Sequence, residues 1–393
     1  MTTSAPPQSR LLYLDWLRII AFSLLVLYHV GMVYVPWPFH FKSPSTYAVL
    51  EPWMRLTNPW RMSLLFVISG LATGLMLGRV GLGGQRAKRL LWPLLFGMAI
   101  VVPPQAYFQV QQQVGYAGSY LDFLRLYFSG FSGFCQAGTC LRLPTWNHLW
   151  FLPYLAVYTA VLLAAWHWLA HARLSRWADR AAALAGWRLI FWPWVVIGLI
   201  RALLLPRFGD THALLGDWFN HVTFGLLFAC GVLLARRPVL LARLEGLRWP
   251  ALLIACAAWA TLVGFSARWA AWPEVPEFIR LPLRFVFAAQ QWCAIVAAFG
   301  FARRHLNHDH RWRAVLNEAV FPLYIVHQTL IIAGAVALAP LALPVEVQAS
   351  ILVTGTFAGG LAAWQLARHL PWLRPWMGLG PQPAAQRVAV ASA

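Results

Sequence analysis

The chain has 393 residues, of which 60% are hydrophobic and only 11% are charged. Soluble globular domains carry roughly 25% charged residues, so this composition argues against a soluble enzyme, a disordered chain and a disulfide-dense secreted module, and it predicts an integral membrane protein. The net charge of +19 would favour nucleic-acid binding on a soluble protein, but here loop Lys and Arg residues that set membrane orientation explain it better, so we expect no nucleic-acid partner.

Ten apolar windows along the chain are long enough to cross a bilayer. A helix needs about 20 apolar residues to span ~30 Å of hydrocarbon. In chain order, the windows are Trp16–Val35, Pro59–Leu77, Leu90–Tyr107, Leu149–Leu169, Trp187–Leu205, Trp218–Ala235, Pro250–Ala267, Leu281–Ala302, Ala314–Ala339 and Val347–Arg368. The sequence therefore predicts an all-α integral membrane protein, a bundle of about ten transmembrane helices.

The charges between the windows predict how the bundle is oriented. With the N-terminus in the cytoplasm, the cytoplasmic connections and termini hold 20 Lys and Arg residues, and the external side holds 10. Such a bias sets orientation, so both termini are predicted to be cytoplasmic. We divide the chain into a disordered cytoplasmic N-terminus (1–12), a transmembrane domain (13–370) and a cytoplasmic tail (371–393).

The first window carries Asp15, Arg18 and His29, and titratable groups at membrane depth are usually functional. Arg18 and His29 are 11 residues apart, which places them on one helix face about 16 Å apart along the axis. Asp15 lies three residues before Arg18 and can pair with it. The alternatives are an Arg18 that only reaches for the lipid headgroups and a His29 that only hydrogen-bonds between helices.

The ninth window repeats this arrangement with Glu318, Tyr324 and His327. A helix that enters from the cytoplasm places His327 at a depth similar to that of His29, so the two histidines could form one buried site. A neutral imidazole can act as a general base at physiological pH. Two separate structural histidines are the alternative, and for Glu318 the alternative is an ion pair with a loop arginine.

Two further segments combine small or basic residues. Gly70 and Gly74 form a small-xxx-small face that favours close helix packing, and Ser69 beside them could orient a ligand. The connection at residues 83–89 has glycines and cations at a helix entrance. It could bind phosphates through charge and backbone donors, or it could only set the membrane topology.

The long external connection at residues 109–148 is rich in amides and aromatic rings. These residue types suit carbohydrate contact, and they equally suit the aromatic belt at a membrane interface. Cys135 and Cys140 also lie here, and their spacing leaves open whether they form a disulfide in an oxidising compartment. Four closely spaced ligands for zinc are missing, so we predict no metal site.

Together these motifs resemble the membrane-bound acyltransferase family 3. An Arg and a His separated by ten residues in the first helix are the hallmark of the family, and Arg18 and His29 match it. Four further segments match the family. The first is Arg61–Met62 followed by residues 66–70, and the others are residues 86–93, 148–152 and 317–327. The resemblance covers almost all of residues 10 to 370 and is closest to the branch that succinylates osmoregulated periplasmic glucans.

The resemblance implies a multi-pass enzyme of the cell inner membrane. It would take a succinyl or acetyl group from cytoplasmic acyl-CoA, which is a co-substrate and not a permanently bound cofactor. The acceptor would be a hydroxyl of a periplasmic or cell-surface glycan, such as a glucan, an exopolysaccharide or a lipopolysaccharide sugar. Membrane lipids would be its other partners.

The resemblance also implies roles for individual residues. His29 or His327 would act as general base or transient acyl carrier, and Ser69 or Tyr324 would stabilise the oxyanion. The phosphates of coenzyme A would contact Arg18, Arg86, Lys88 and Arg89. The substrate would contact Arg61, His148 and Trp150. Whether a covalent acyl-enzyme forms stays open.

Two other functions are compatible with ten helices and intramembrane histidines. A transporter or flippase of an envelope glycan precursor would not depend on coenzyme A, and internal repeats, which would favour it, are not visible in the sequence. A non-catalytic subunit of a polysaccharide assembly would tolerate the loss of both histidines.

Overall fold

The computed structural model describes residues 11–136, 138–168, 176, 178–180, 183–269 and 275–380. Within these residues, ten helical stretches are long and apolar enough to cross a membrane, which confirms the predicted number of spans. They are Leu12–Tyr34, Ala48–Met76, Leu82–Val114, Asn147–His167, Arg188–Phe208, Trp218–Arg236, Arg248–Arg268, Glu277–His305, Arg313–Leu341 and Val345–His369.

The helices are numbered here in chain order. They are α1 (Leu12–Tyr34), α2 (Glu51–Thr57), α3 (Arg61–Met76), α4 (Leu82–Phe96), α5 (Val102–Val114), α6 (Tyr120–Phe128), α7 (Phe151–Trp168), α8 (Arg188–Leu203), α9 (Leu205–Phe208), α10 (Trp218–Arg236), α11 (Pro238–Gly246), α12 (Arg248–Arg268), α13 (Glu277–His305), α14 (Arg313–Leu338) and α15 (Val345–His369). A π-helical turn joins α4 to α5, and a short antiparallel pair, β1 (Phe134–Gln136) and β2 (Thr139–Leu141), lies in the long connection.

Burial is arranged as a bilayer requires. A helix satisfies its backbone hydrogen bonds internally, which hydrocarbon demands because it offers no water. Large side chains such as Phe66, Tyr154 and Phe299 fill the interior of the bundle. Leu253 and Val161 are 68% and 62% exposed on long spans, which is stable only where lipid replaces water. The described residues therefore form an all-α membrane bundle.

Close packing of α3 on α10 confirms the interpretation of the small-residue face. A side chain at Gly70 would collide with the backbone of Phe228, and one at Gly231 would collide with the backbone of Val67. The two helices approach backbone to backbone because each has glycine at the crossing. This contact fixes α3 against the bundle and so positions Arg61 at its N-terminal end.

Helix α1 lies against α14 and α3, so its polar face points into the protein and not at lipid. The predicted Asp15–Arg18 pair is not the ion pair that the structure contains. Asp15 instead pairs with Arg313 at the start of α14, and Asp309 holds the same guanidinium at 2.8 Å. The ion pair of Asp15 therefore joins two helices, α1 and α14, and does not lie within α1.

Charged residues mark the two ends of the bundle differently. We call the end that carries Arg18, Arg86 and Arg89 the basic end. Residues 371–380, assigned from sequence to a tail, pack there, with the rings of Trp376 and Trp92 4.5 Å apart. Glu318 pairs at 3.5 Å with Arg374 of this segment. The outer parts of the two predicted termini, residues 1–10 and 381–393, lie outside the described residues.

The opposite end of the bundle carries the long connection. Cys135 and Cys140 form a disulfide across β1 and β2, which decides the alternative that their spacing left open. Beneath the hairpin, the Tyr127 hydroxyl donates to the carbonyls of Met98 and Thr145 at 2.9 and 3.0 Å. These bonds fasten the connection to the π-helical turn at residues 97–101.

Candidate functional site

His29 and His327 lie in direct contact, although 298 residues separate them in the chain. The Nδ1 atom of His29 is 2.8 Å from Nε2 of His327, and the ring centroids are 5.0 Å apart. His327 is fully buried at the centre of α14, and His29 is half-buried on α1. The structure thus brings the two predicted histidines into one site.

Hydrogen-bond partners fix which ring nitrogens carry protons. The Nδ1 atom of His327 is 2.7 Å from the carbonyl of Tyr324, and a carbonyl only accepts, so this nitrogen donates. In the neutral ring, Nε2 of His327 is then an acceptor, and His29 Nδ1 donates to it. The Nε2 atom of His29 is left with a free lone pair. Histidine pairs oriented in this way can accept a proton at the outer ring and spread the charge onto the inner one.

His148 completes a group of three imidazoles, with its ring 4.9 Å from that of His327. Its Nε2 donates to the carbonyl of Ile325 at 2.9 Å, and the side-chain amide of Gln105 approaches its Nδ1 at 3.4 Å. Gln105 also donates to Thr329 at 2.6 Å. His148 is therefore held by hydrogen bonds on both nitrogens.

Gln105 is a residue that sequence analysis missed. It is fully buried, and its amide oxygen accepts from Asn147 and Gln328 at 3.2 and 3.1 Å. Such an amide inside an apolar span is costly unless it is fully paired, and that cost is the sequence feature that could have drawn attention to it.

The two predicted oxyanion donors occupy other positions. The Tyr324 hydroxyl donates to the carbonyl of His148 at 3.0 Å, so its hydrogen is already used. Ser69 lies eight residues beyond Arg61 on α3, about 12 Å further toward the basic end. Its carbonyl accepts from Arg86 at 3.4 Å. The Tyr324 ring stacks on that of His327 with centroids 6.0 Å apart, but neither hydroxyl forms a hydrogen bond with the histidine pair, so the oxyanion role of both residues stays a prediction.

A loop covers His29 at the end opposite the basic one. We call residues 36–47 the Phe39 loop, because the ring of Phe39 stacks on His29 with a centroid distance of 5.9 Å. Gln112 and Gln113 of α5 bind the backbone of Lys42 and Phe39 in this loop, so these amides are occupied within the protein. The Lys42 amine caps the carbonyl ends of α1 at Met32 and Val35, and burial lowers its pKa from 10.5 to about 8.

A cavity of about 250 Å³ opens beside the histidine pair. We call it the His29 cavity. His29, His148, Arg61 and Trp150, all singled out from the sequence, line it. Its other polar lining residues are Tyr28, Asn58, Ser63, Arg201, Asp210, His212, Asn220, Thr223 and Gln291. Arg61 stacks on the ring of Tyr28 at 3.6 Å, and the ring of Trp150 lies 4.0 Å from that of His212.

At the basic end, the structure brings three of the four predicted cations together. Arg18 is close enough to Arg86 and Arg89 for their positive charges to repel each other. Arg86 donates to the Thr73 hydroxyl, which fixes its head group. Lys88 is exposed and lies on a different face of α4, since two residues turn a helix by about 200°. A cluster of like charges of this kind gains stability from a bound anion.

Comparisons with known proteins give one match. Residues 11–368 match the model of a family described as an acyltransferase domain. No curated protein matches the chain. No solved structure matches it either. The family match spans both the histidine pair and the basic cluster.

Proposed function

This chain belongs to acyltransferase family 3, and from that premise we propose that it transfers a short acyl group from cytoplasmic acyl-CoA to a glycan hydroxyl outside the inner membrane. The family supports a membrane acyltransferase in general. The observation that carries the finer proposal is the 2.8 Å contact between His29 and His327 at the edge of a polar cavity. His29 lies on the same helix as Arg18 of the basic cluster.

The donor would bind at the basic cluster. Coenzyme A carries several phosphates, and arginine forms paired hydrogen bonds with phosphate. Arg18, Arg86 and Arg89 would bind these phosphates, and Lys88 would add charge at the rim. The long arm of coenzyme A would then follow α1 toward His29, about 16 Å away along the helix.

The histidine pair would carry the proton during transfer. The acceptor hydroxyl gives its proton to His29 Nε2, and its oxygen forms a bond to the thioester carbonyl carbon. The carbon–sulfur bond then breaks, and the thiolate leaves with the proton from His29. His327 would orient His29 and share its charge while the imidazolium exists. This is direct transfer. In the covalent alternative, His29 Nε2 would attack the thioester carbon and expel the thiolate; the acceptor oxygen would then attack the acyl-imidazole, and the hydroxyl proton would go to the thiolate.

The acceptor would arrive from the end that carries the Phe39 loop and the disulfide. A disulfide suits an oxidising compartment, and the basic end suits the cytoplasm. Trp150 lines the cavity, and aromatic rings suit the apolar face of a sugar ring. We propose that both termini are cytoplasmic and that the acceptor is a periplasmic glucan or another envelope glycan.

Mass spectrometry of envelope glycans tests the proposal. Cells that lack this chain should lose one acyl mass from a glycan, and the size of the loss identifies succinyl or acetyl. Unchanged acylation would contradict the proposal. Loss of the entire glycan from the outer face, with no acyl difference in the precursor, would instead indicate a flippase.

Substitution of His29 tests the mechanism. In purified protein, His29→Ala should lower acyl transfer by about 10²- to 10⁴-fold, the usual contribution of a general base. The matched control is His369→Ala, because His369 is exposed at the end of α15 and should transfer at the wild-type rate. Full transfer by a folded His29→Ala protein would eliminate His29 as the base.

A further inference from the structure

Two arginines, Arg61 and Arg201, line the His29 cavity, and Asp210 supplies the one carboxylate among its lining residues. Arg61 is only 4% exposed, and its Nε and Nη1 atoms have no hydrogen-bond partner. The Nε atom of Arg201 is likewise buried without a partner. Both side chains lie on rings, Arg61 on Tyr28 and Arg201 on Phe287, each at 3.6 Å. The rings fix the orientation of the two guanidinium groups but do not neutralise their charge.

The Asp210 carboxylate is close enough to attract Arg201, but it forms no ion pair with it. Asp210 accepts from the amide of Asn220 at 2.8 Å and lies 3.4 Å from His212. Among the described residues, no ion pair reaches either arginine of the cavity, whereas the nearby Arg284 is neutralised by Glu277 at 2.6 Å. The cavity therefore holds two arginines and one carboxylate, so one positive charge is left unbalanced.

Two helix ends add to the positive potential. Arg61 is the first residue of α3, and Phe219, Asn220 and Thr223 come from the first turns of α10. Backbone N–H groups in a first turn lack helical partners and carry partial positive charge. A buried, unpaired cation is costly, so a ligand that supplies the missing anion gains affinity from pairing with it.

We propose that Arg61 and Arg201 form a subsite for a carboxylate, carried either by the transferred acyl group or by an acidic sugar of the acceptor. The volume of about 250 Å³ suits a short group, because pockets for drug-sized ligands are commonly 300–1,000 Å³. Arginine matches the geometry of a carboxylate with two parallel hydrogen bonds. This inference rests on the proposed acyl transfer, which it deepens by naming the charge of one substrate.

Matched substrate pairs separate the two sources of the carboxylate. The donor arm compares succinyl-CoA with butyryl-CoA, which has the same chain length without the carboxylate. The acceptor arm compares cellobiouronic acid with cellobiose. We expect the wild-type protein to have a higher kcat/KM for the carboxylate member in one arm, and that arm identifies the source.

Variants test whether Arg61 and Arg201 recognise the carboxylate of the substrate. In the preferred arm, Arg201→Gln and Arg61→Gln should lower the ratio of kcat/KM values by about 10- to 100-fold, as expected for a lost charged hydrogen bond. Arg201→Lys should lower the ratio by less, because lysine keeps the positive charge. It should still lower it, because lysine cannot form two parallel hydrogen bonds. Arg125→Gln is the control, since Arg125 is exposed on α6 and pairs with Asp122 outside the cavity. No preference in either arm, or an unchanged ratio in Arg201→Gln, would overturn the subsite.

A binding measurement keeps the subsite separate from the reaction. Thermal stabilisation of the wild-type protein should be larger with the carboxylate member of one pair, and Arg201→Lys should reduce that difference. If no donor supports transfer but this difference exists, the proposed function fails and the subsite stands. If transfer occurs and the difference is absent, the subsite fails and the proposed function stands.

Discussion

At the scale of single residues, function depends on how each polar group at membrane depth is paired. His29 and His327 are paired with each other, His148 is held on both nitrogens, and the Nε and Nη1 atoms of Arg61 lack a hydrogen-bond partner. Polar groups inside a bilayer are costly, so the unpaired ones point to a ligand. Residues whose hydrogen bonds are complete within the protein, such as Gln105, position their neighbours.

Substitutions of His327 test the pairing. His327→Gln keeps an oxygen that can accept from His29 Nδ1, whereas His327→Phe keeps the ring shape without an acceptor. We expect kcat to fall about 10-fold in the first variant and up to about 10³-fold in the second, within the usual range for assistance to a base. Steady-state kinetics on purified protein measures both. Equal activity in the two variants would show that His327 only fills space.

At the scale of elements, α1 is the helix that links the two halves of the site. It carries Arg18 at the basic end and His29 beside the cavity, and it lies between α3 and α14. The contact of α3 with α10 is close because Gly70 and Gly231 have no side chains at the crossing. That contact holds Arg61, at the start of α3, against the cavity.

Glycine substitutions test the crossing. Gly231→Ala places a methyl group against the Val67 backbone, and such overpacking should destabilise the protein by about 1–3 kcal/mol. Gly264→Ala on α12 is the control, because nothing lies within 4 Å of the added group and alanine favours a helix by up to about 1 kcal/mol. Thermal unfolding in detergent compares the two. A melting temperature of Gly231→Ala at or above that of the control would contradict the packing argument.

At the scale of the whole molecule, the arginine cluster and the disulfide lie at opposite ends of the bundle. The arginine cluster and the packed segment 371–380 lie at one end, and the Phe39 loop and the Cys135–Cys140 disulfide lie at the other. Lys and Arg residues are enriched in cytoplasmic loops, and disulfides form in an oxidising compartment. Both criteria favour the same orientation.

Labelling of single cysteines tests the orientation. With Cys230, Cys256 and Cys293 replaced by alanine, Asp122→Cys should react with a membrane-impermeant maleimide in intact spheroplasts. Lys88→Cys should react only after permeabilisation. Both positions are exposed, so access to the membrane side decides the result. The reverse pattern would place the basic end outside and remove it as a site for cytoplasmic acyl-CoA.

The sequence by itself determined the number of spans, the membrane class and the motifs that match the family. These follow from local properties: the length of an apolar run and the spacing of Arg18 and His29 on one helix. Only the tertiary structure decided which helices are neighbours. It placed His29 in contact with His327 and paired Asp15 with Arg313. It also brought Arg201 into the cavity that Arg61 lines. Inside a bilayer every window is apolar, so hydropathy cannot specify a partner; side-chain packing and hydrogen bonding between distant segments do.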